Sequence, residues 1–402
     1  MDSLLLSVYL YNQPAQTSTR GGTVAIQKFD RKTGFFGIHW QAGSGEAILK
    51  TTEFLSIHWT EPGEPLIEPP LFSPVIADPS FLFPEETPER DWELFAHSAW
   101  GIHRYSSPDG LAWRDVGIVA RNAMRPFVRR IDGLAEKTGA GAALPEDMPF
   151  YLYFEAYRPF ALPMTALPGR RKWHSTIALS RSANLIHWSR PETLLRPELP
   201  WMIDPALGDS ISNPCLVRKP ERVGAAGAAS AAWRLYYSAS LSWIPDCGFC
   251  EPRYLGAAES PSPRGPFEAR PAPIVDPKDD PMPGVLGAGS MKVIAFDDGW
   301  IGLQNKIYRD PSGASSQGSR SAIFILRSED GIAWRPARSE PLLAPSTGWT
   351  RSHVYACDCR FREKDGLWYL YFNARDGWRI KDGVERIGRI VGMPRTSPSP
   401  GS

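Results

Sequence analysis

The feature that most constrains this chain is a unit that repeats along it. Ser106 to Trp113 reads SSPDGLAW, Arg327 to Trp334 reads RSEDGIAW, and Ser180 to Trp188 reads SRSANLIHW. Thr52 to Trp59 is a looser copy, and Ser260 to Phe267 a degenerate one. Each copy fits a strand, a turn rich in Asp, Asn, Ser and Gly, and a second strand opened by an aromatic residue. Asp-Gly makes the turn because glycine accepts positive φ and an aspartate carboxylate accepts from its own backbone. Upstream lies an aromatic-rich strand, as in Tyr151 to Glu155, Leu235 to Ser238 and Tyr369 to Asn373, with Trp92 to Ala96 and Trp300 to Gln304 in the same slot. Before those come apolar runs opened by a small or polar residue: Ala77 to Phe83, Met124 to Val128, Ser212 to Val217, Gly289 to Ile294 and Ala356 to Phe361. The period is therefore four strands, repeated five times at about 45–80 residues. Four antiparallel strands repeated radially make a propeller blade. The expected fold is all-β, a five-bladed β-propeller with four antiparallel strands per blade.

The blades are expected over roughly 70–118, 119–197, 205–275 and 284–343, with the fifth beginning near residue 350. The segment around Ile57 lacks its own upstream strands. It is expected to supply outer strands that close the ring against inner strands of the C-terminal part, including Ile387 to Val391, and so remove an open sheet edge. The alternative is a sixth blade started by Leu4 to Tyr11 and Thr23 to Phe29. Residues 1–393 are expected to form one domain. Gly133 to Pro149 and Glu221 to Ala232 read as insertions, and 394–402 as a disordered Ser/Pro tail. Pro 39 and Gly 35 suit short strands with many corners. No stretch of ten or more residues carries a 3.6-residue period, so little helix is expected.

Lys+Arg 45 against Asp+Glu 44 leaves a net charge of +1, which gives no reason to expect nucleic acid as a partner. No apolar run approaches the roughly 20 residues of a membrane span. Met1 to Tyr11 has an apolar run at Leu4, Leu5 and Leu6 but no basic start, so no secretion signal is expected and the location is read as cytoplasmic. Five cysteines fit a reducing compartment. Cys247 and Cys250, or Cys357 and Cys359, have the spacing of zinc half-sites. No second set completes four ligands, so no metal and no cofactor is expected, and these read as packed or loop thiols.

Propeller geometry picks candidate site residues. The inner strand starts at the mouth, the second strand returns to it, and the loop to the third strand faces the same opening. Starts of inner strands give Asp78, Arg125, Asn213, Ser290 and Asp358. Ends of second strands give His97, Glu155, Ser238, Asn305 and Asn373. Neighbouring loops add Arg158, Arg171, His174, Asp209, Glu251, Lys306, His353 and Arg375. Polar tips on aromatic strands are poor core material, and their convergence suits a small-ligand site. An Asn-Pro pair such as Asn213-Pro214 also serves as a strand cap. The repeated Trp113, Trp188 and Trp334 read as packing between blades. Glycoside cleavage needs two carboxyl groups flanking one bond, with their pKa values held apart by environment. Asp78 beside Arg125 suits the ionised partner. Glu155, Glu251 and Asp358 are the further catalytic candidates, with His97, Arg125, Arg158, His174, Asn213, Asn305 and His353 as substrate-binding ones.

Ala77-Asp78-Pro79-Ser80 resembles the first-blade Asp-Pro element of the five-bladed glycosidase superfamily, which includes families 43, 32 and 130. The tyrosine strand at Tyr151 to Glu155 followed by Ser180 to Trp188 resembles a pattern common in these proteins. The resemblance covers about residues 70–392 and is specific for architecture. It implies glycoside hydrolysis, with Asp78 as base or nucleophile and a carbohydrate as ligand. Family 43 enzymes carry a second Asp where this chain has Asn213, and an acid Glu near the fourth blade's start, where it has Ser290. Asp209 or Glu251 would have to substitute for the acid. Arg125, Arg158, Arg171, Lys306 and Arg351 imply the alternative of a phosphorylase, since family 130 includes such enzymes and arginines suit phosphate. A non-catalytic carbohydrate-binding propeller is the further alternative.

Overall fold

The structure is a computed structural model of the 402-residue chain and describes residues 25–26, 38–39, 50–132, 148–159, 172–220, 232–309 and 318–394. The chain divides into two compact units, Met1–Ile48 with Lys364–Gly366, and Leu49–Glu363 with Leu367–Ser402. In the first unit, β1 (Ala25–Ile26) and β2 (Ile38–His39) pair antiparallel. The segments proposed for a sixth blade, the two insertions and the tail fall wholly or mostly outside the described residues.

The second unit opens with α1 (Thr51–Leu55), the one α-helix among the described residues, and β3 (His58–Trp59). Five antiparallel meanders follow. The first is β4 (Ala77–Leu82), β5 (Trp92–Ser98), β6 (Gly101–Ser107) and β7 (Arg114–Ala120). The second is β8 (Ala123–Arg130), β9 (Phe150–Tyr157), β10 (Trp173–Ser182) and β11 (Glu192–Leu195). Here β12 (Ile203–Asp204) pairs with β13 (Gly208–Asp209), which joins the start of β10 in parallel. The third is β14 (Ile211–Arg218), β15 (Trp233–Ile244), β16 (Phe249–Ser260) and β17 (Glu268–Ala269). The fourth is β18 (Val285–Phe296), β19 (Gly299–Arg309), β20 (Ser319–Ser328) and β21 (Arg335–Pro336). The fifth is β22 (His353–Arg362), β23 (Leu367–Arg375) and β24 (Glu385–Met393), with β3 as its outer strand.

The pairing of Trp59 with Gly392 and of Ile67 with Ile387 places the segment around residues 58–67 against the C-terminal strand. Inner strands are expected to receive it, but the strand that does, β24, is third in its meander, and β22 is the innermost. The edge left open is that of the third strand, so the closing strand has to bind there. The first strands touch in chain order, β4 to β8 to β14 to β18 to β22, and β22 touches β4.

The sequence repeat is explained by what happens between meanders. In the turns, Asp109 Oδ1 accepts the amides of Leu111 and Ala112, Asn184 Oδ1 those of Ile186 and His187, and Asp330 Oδ1 those of Ile332 and Ala333. Ser107, Ser182 and Ser328 each accept the amide three residues on. A second-strand tyrosine of one meander then donates its hydroxyl to a turn carbonyl of the next: Tyr153 to Pro263, Tyr236 to Gly331, and Tyr371 to Gly110, at 2.8–2.9 Å. The tryptophan closing each turn packs on the preceding meander, Trp188 on Phe95, Trp334 on Tyr236 and Trp113 on Tyr371. Edge-on aromatic pairs of this kind stabilise by about 0.5–1.5 kcal/mol beyond the area they bury. The tyrosine strand and the Ser-x-Asp-Gly-x-x-Trp turn therefore belong together because they form two sides of one joint.

Candidate active site

Each innermost strand breaks its ladder at the same level. The register skips Asp78–Pro79, Arg125–Pro126, Asn213–Pro214, Ala288–Gly289 and Tyr355–Ala356. Such bulges redirect side chains. Asp78, Arg125 and Asn213 take positive φ of 53°, 55° and 51°. Left-handed backbone in a non-glycine residue costs about 1–3 kcal/mol, and it persists where surrounding structure imposes it. In the fourth meander the left-handed position is taken by Gly289, with φ 63°, at no such cost. A Cβ there would lie 1.9 Å from the Asn305 carbonyl oxygen. Gly289→Ala is therefore expected to destabilise the protein by more than about 1 kcal/mol, read as a lower urea midpoint at unchanged slope.

The five bulges line one depression of about 210 Å³. Its walls carry the carboxyls of Asp78, Glu251 and Glu385, the guanidinium groups of Arg125 and Arg375, and His97. Asn213, Ser290, Asn305 and Asn373 supply amide and hydroxyl groups, and Phe249 and Tyr355 supply apolar faces.

Asp78 is held by its own backbone, whose amide donates to Asn373 Oδ1 at 3.1 Å. His97 Nδ1 lies 3.4 Å from Asp78 Oδ2 and accepts the Arg125 amide at 3.3 Å. Burial, reinforced by the Arg125 charge, pushes the His97 imidazole down to about 3, so it sits in the mouth as a neutral ring. Burial raises the Asp78 carboxyl, while Arg125 and Lys292 pull it back down. Arg125 itself is anchored from behind by Glu155, which also accepts from Trp173 Nε1 at 3.0 Å. Burial opposes the Arg125 charge, but Glu155 and Asp78 raise its pKa and keep it protonated.

Glu251 reaches the mouth because β15 and β16 run twelve residues each and carry their hairpin turn over the opening. Burial lifts its carboxyl to about 8 against the pull of Arg125, and Glu385 and Asp78 push the same way as burial. Glu385 starts β24. It accepts from Asn373 Nδ2 and lies 3.8 Å from Arg375, whose guanidinium is fixed by the carbonyls of Gly377 and Gly383. Burial lifts it to about 7, with Arg375 pulling the other way. Three carboxyls within electrostatic reach of one another cannot all ionise easily, so they release protons in steps.

The sequence candidates separate into three groups. Asp78, Glu251, His97, Arg125, Asn213 and Asn305 meet in the mouth. Glu155 stands behind Arg125 as its anchor and does not line the depression. Asp358, His353, His174 and Arg158 are not among the lining residues. Asp358 follows the bulge of β22 and pairs with Tyr371, so the residue at the level of Asp78 is Tyr355. Its carboxylate turns to Arg129, Ser80 and the Phe81 amide. His353 is fully buried, stacked on Tyr355 at 5.3 Å, with Nε2 3.6 Å from Cys247 Sγ. His174 bonds Asp209 at 3.0 Å at the edge of the second meander. Arg158 is exposed beyond β9, and Arg171 lies outside the described residues. Lys306 is paired with Asp280 at 2.7 Å. Glu385, the first residue of β24, was not among the sequence candidates. Among the described residues no group of three or more His, Cys, Asp or Glu side chains is placed to hold a metal ion, and all five cysteines are free thiols.

No protein-family model and no curated protein matches the chain. Solved structures do. A glycoside hydrolase superposes with a TM-score of 0.55 at 13% identity, covering 84% of this chain and 94% of its own. Zg3597, a family 117 glycoside hydrolase produced by the marine bacterium Zobellia galactanivorans, gives 0.50 at 14% identity, with 84% and 91% covered. The chain has the fold of the β-propeller glycosidase superfamily.

Proposed function

We propose that this protein is a glycosidase on a five-bladed β-propeller, cleaving an O-glycosidic bond in the mouth. The five-blade reading is supported by the cyclic contact order of the innermost strands and by the Tyr371–Gly110 bond between the last meander and the first. The observation that carries the activity is the meeting of Asp78 and Glu251 across one depression, in opposed electrostatic surroundings. Besides burial, Asp78 feels two cations, whereas Glu251 feels Arg125 offset by two carboxyls. Asp78 therefore ionises ahead of Glu251. Asp78 is the base or nucleophile, Glu251 the proton donor to the departing oxygen, and the charges of Arg125 and Lys292 favour the ionised Asp78 carboxylate.

Hydrolysis is preferred to phosphorolysis because the mouth's cations are already committed. Arg125 serves Glu155 and Arg375 serves backbone carbonyls; Arg351 and Lys306 do not line the depression and are bonded to the Asp376 carbonyl and to Asp280. The test is a screen of aryl glycosides with and without inorganic phosphate. Turnover independent of phosphate, and absent in Asp78→Asn, supports the reading. Turnover only with phosphate makes the protein a phosphorylase. Asn213, an amide at the level of Asp78 in the third meander, favours a second reading, a carbohydrate binder, which would show sugar affinity without turnover.

A further inference from the structure

Beside the mouth lies an apolar group that the cleavage chemistry does not use. Leu71 and Phe72 are 77% and 83% exposed, and Trp100 is 46% exposed. They belong to two segments clamped together. Trp100 Nε1 donates to the Leu71 carbonyl at 3.2 Å, and the Ala99 amide donates to Ser73 Oγ at 3.2 Å. Both segments run directly into the site. Val75 lines the depression at one side, and His97 lines it at the other. Trp100 is three residues past His97, so its backbone is within about 10 Å of that of His97.

The group is also held in place at a cost. Phe72 takes φ 62°, a left-handed backbone for a bulky residue, and the result is a phenyl ring turned to solvent. The hairpin bearing Trp100 is braced by a series of polar bonds. Ser98 Oγ accepts the Trp100 amide at 3.0 Å and bonds His103 Nε2 at 2.9 Å, and His103 Nδ1 bonds Asp115 at 3.0 Å. This Ser-His-Asp set resembles a hydrolytic triad in connectivity, but Ser98 is 1% exposed and no substrate can reach it. Its work is to fix the turn. Strain and bracing that together present flat apolar rings beside a polar mouth fit a ligand with one apolar face. A pyranose or furanose ring has such a face, made of its C–H bonds, with hydroxyls at the rim.

We propose that Trp100 and Phe72 form a stacking platform for a sugar ring beyond the unit held in the mouth, so that the ligand is an oligo- or polysaccharide. The identity of the occupant as a sugar rests on the glycosidase reading, through continuity of the platform with the Asp78 site. The experiment is affinity gel electrophoresis of Asp78→Asn protein in gels cast with arabinan, xylan, mannan, agarose or rhamnogalacturonan, compared with the same protein carrying Trp100→Ala and Phe72→Ala. Retardation by at least one polysaccharide, weakened about tenfold in the triple variant and restored by Trp100→Phe with Phe72 intact, is the expected result. Phe72→Gly is expected to weaken retardation while raising the melting temperature by about 1–3 °C, because the strain is relieved. No retardation by any polysaccharide, or retardation unchanged in the triple variant, overturns the platform. So does a shift from dimer to monomer on gel filtration in the triple variant with retardation intact, since the patch would then bind a second copy. Retardation lost in the triple variant, with no aryl glycoside turned over by the native protein, leaves the platform standing and removes hydrolysis instead.

Discussion

Asp78→Asn is expected to lower kcat by at least about 10³-fold on every glycoside the native protein cleaves, and Glu251→Gln by about 10²–10⁴-fold only where the leaving group is poor. The distinction follows from what each carboxyl does. A base or nucleophile is needed whatever group departs. A proton donor is needed only when the departing oxygen is too basic to leave as an anion, so a dinitrophenyl glycoside bypasses it. The same pair fixes the pH profile. The acid form of Glu251 is present below its pKa of about 8 and is lost as pH rises through it. Activity is therefore expected to fall on the alkaline side with a limb near pH 8. In Glu251→Gln that limb disappears and the residual dinitrophenyl activity stays flat there. An alkaline limb unchanged in Glu251→Gln would assign the proton donor elsewhere, and Glu385, lifted to about 7, would be its replacement. Steady-state rates across pH 5–10 on two leaving groups separate these cases.

The repeat was legible because it records a joint made several times over. Three tyrosine strands each bond a turn of the next meander, an Asp-Gly turn in two of the cases, so similar residues recur from meander to meander. Asp78, Arg125 and Asn213 were legible for a related reason. Each precedes proline at a bulge, and the X-Pro pair marks the level of the mouth. The fifth meander has no such proline, and its bulge at Tyr355–Ala356 left no mark in the sequence. Asp358, the nearest charged residue along β22, therefore stands out in the sequence where Tyr355 does not. Glu385 was hidden for a different reason. Its place depends on the Val75–Glu385 bridge, between residues distant in the sequence, together with the Asn373 amide on the neighbouring strand. Glu155 shows the limit of residue type as a guide. A carboxylate ending an aromatic strand has to find a cation, and here the cation is the site's own arginine.

The second large effect concerns Asp358, whose charge holds the fold. Asp358→Asn is expected to destabilise the protein by about 2–4 kcal/mol at pH 7 while leaving the turnover of the folded protein unchanged. The carboxylate lies on β22, accepts from Ser80 Oγ and the Phe81 amide on β4, and takes two bonds, at 2.7 and 2.8 Å, from Arg129 on β8. One side chain thus ties three innermost strands. Burial would raise its pKa, but Arg129, with Lys292 behind it, brings it down to about 2. A depressed carboxyl contributes stability that is present above its ordinary pKa and is lost as pH falls through the folded value. The contribution is about 2 kcal/mol, and it disappears between about pH 4 and pH 2. In Asp358→Asn the urea midpoint should already be low at pH 7 and should fall less on acidification over that window. An unchanged midpoint at pH 7 would mean that Arg129 finds another partner and that the tie is dispensable. Asp78→Asn should behave oppositely. Its carboxyl is one that burial raises, and asparagine accepts left-handed backbone readily, so that variant should be inactive yet at least as stable as the native protein. Paired denaturation and rate measurements on the two variants separate the aspartate proposed for catalysis from the one that ties three innermost strands.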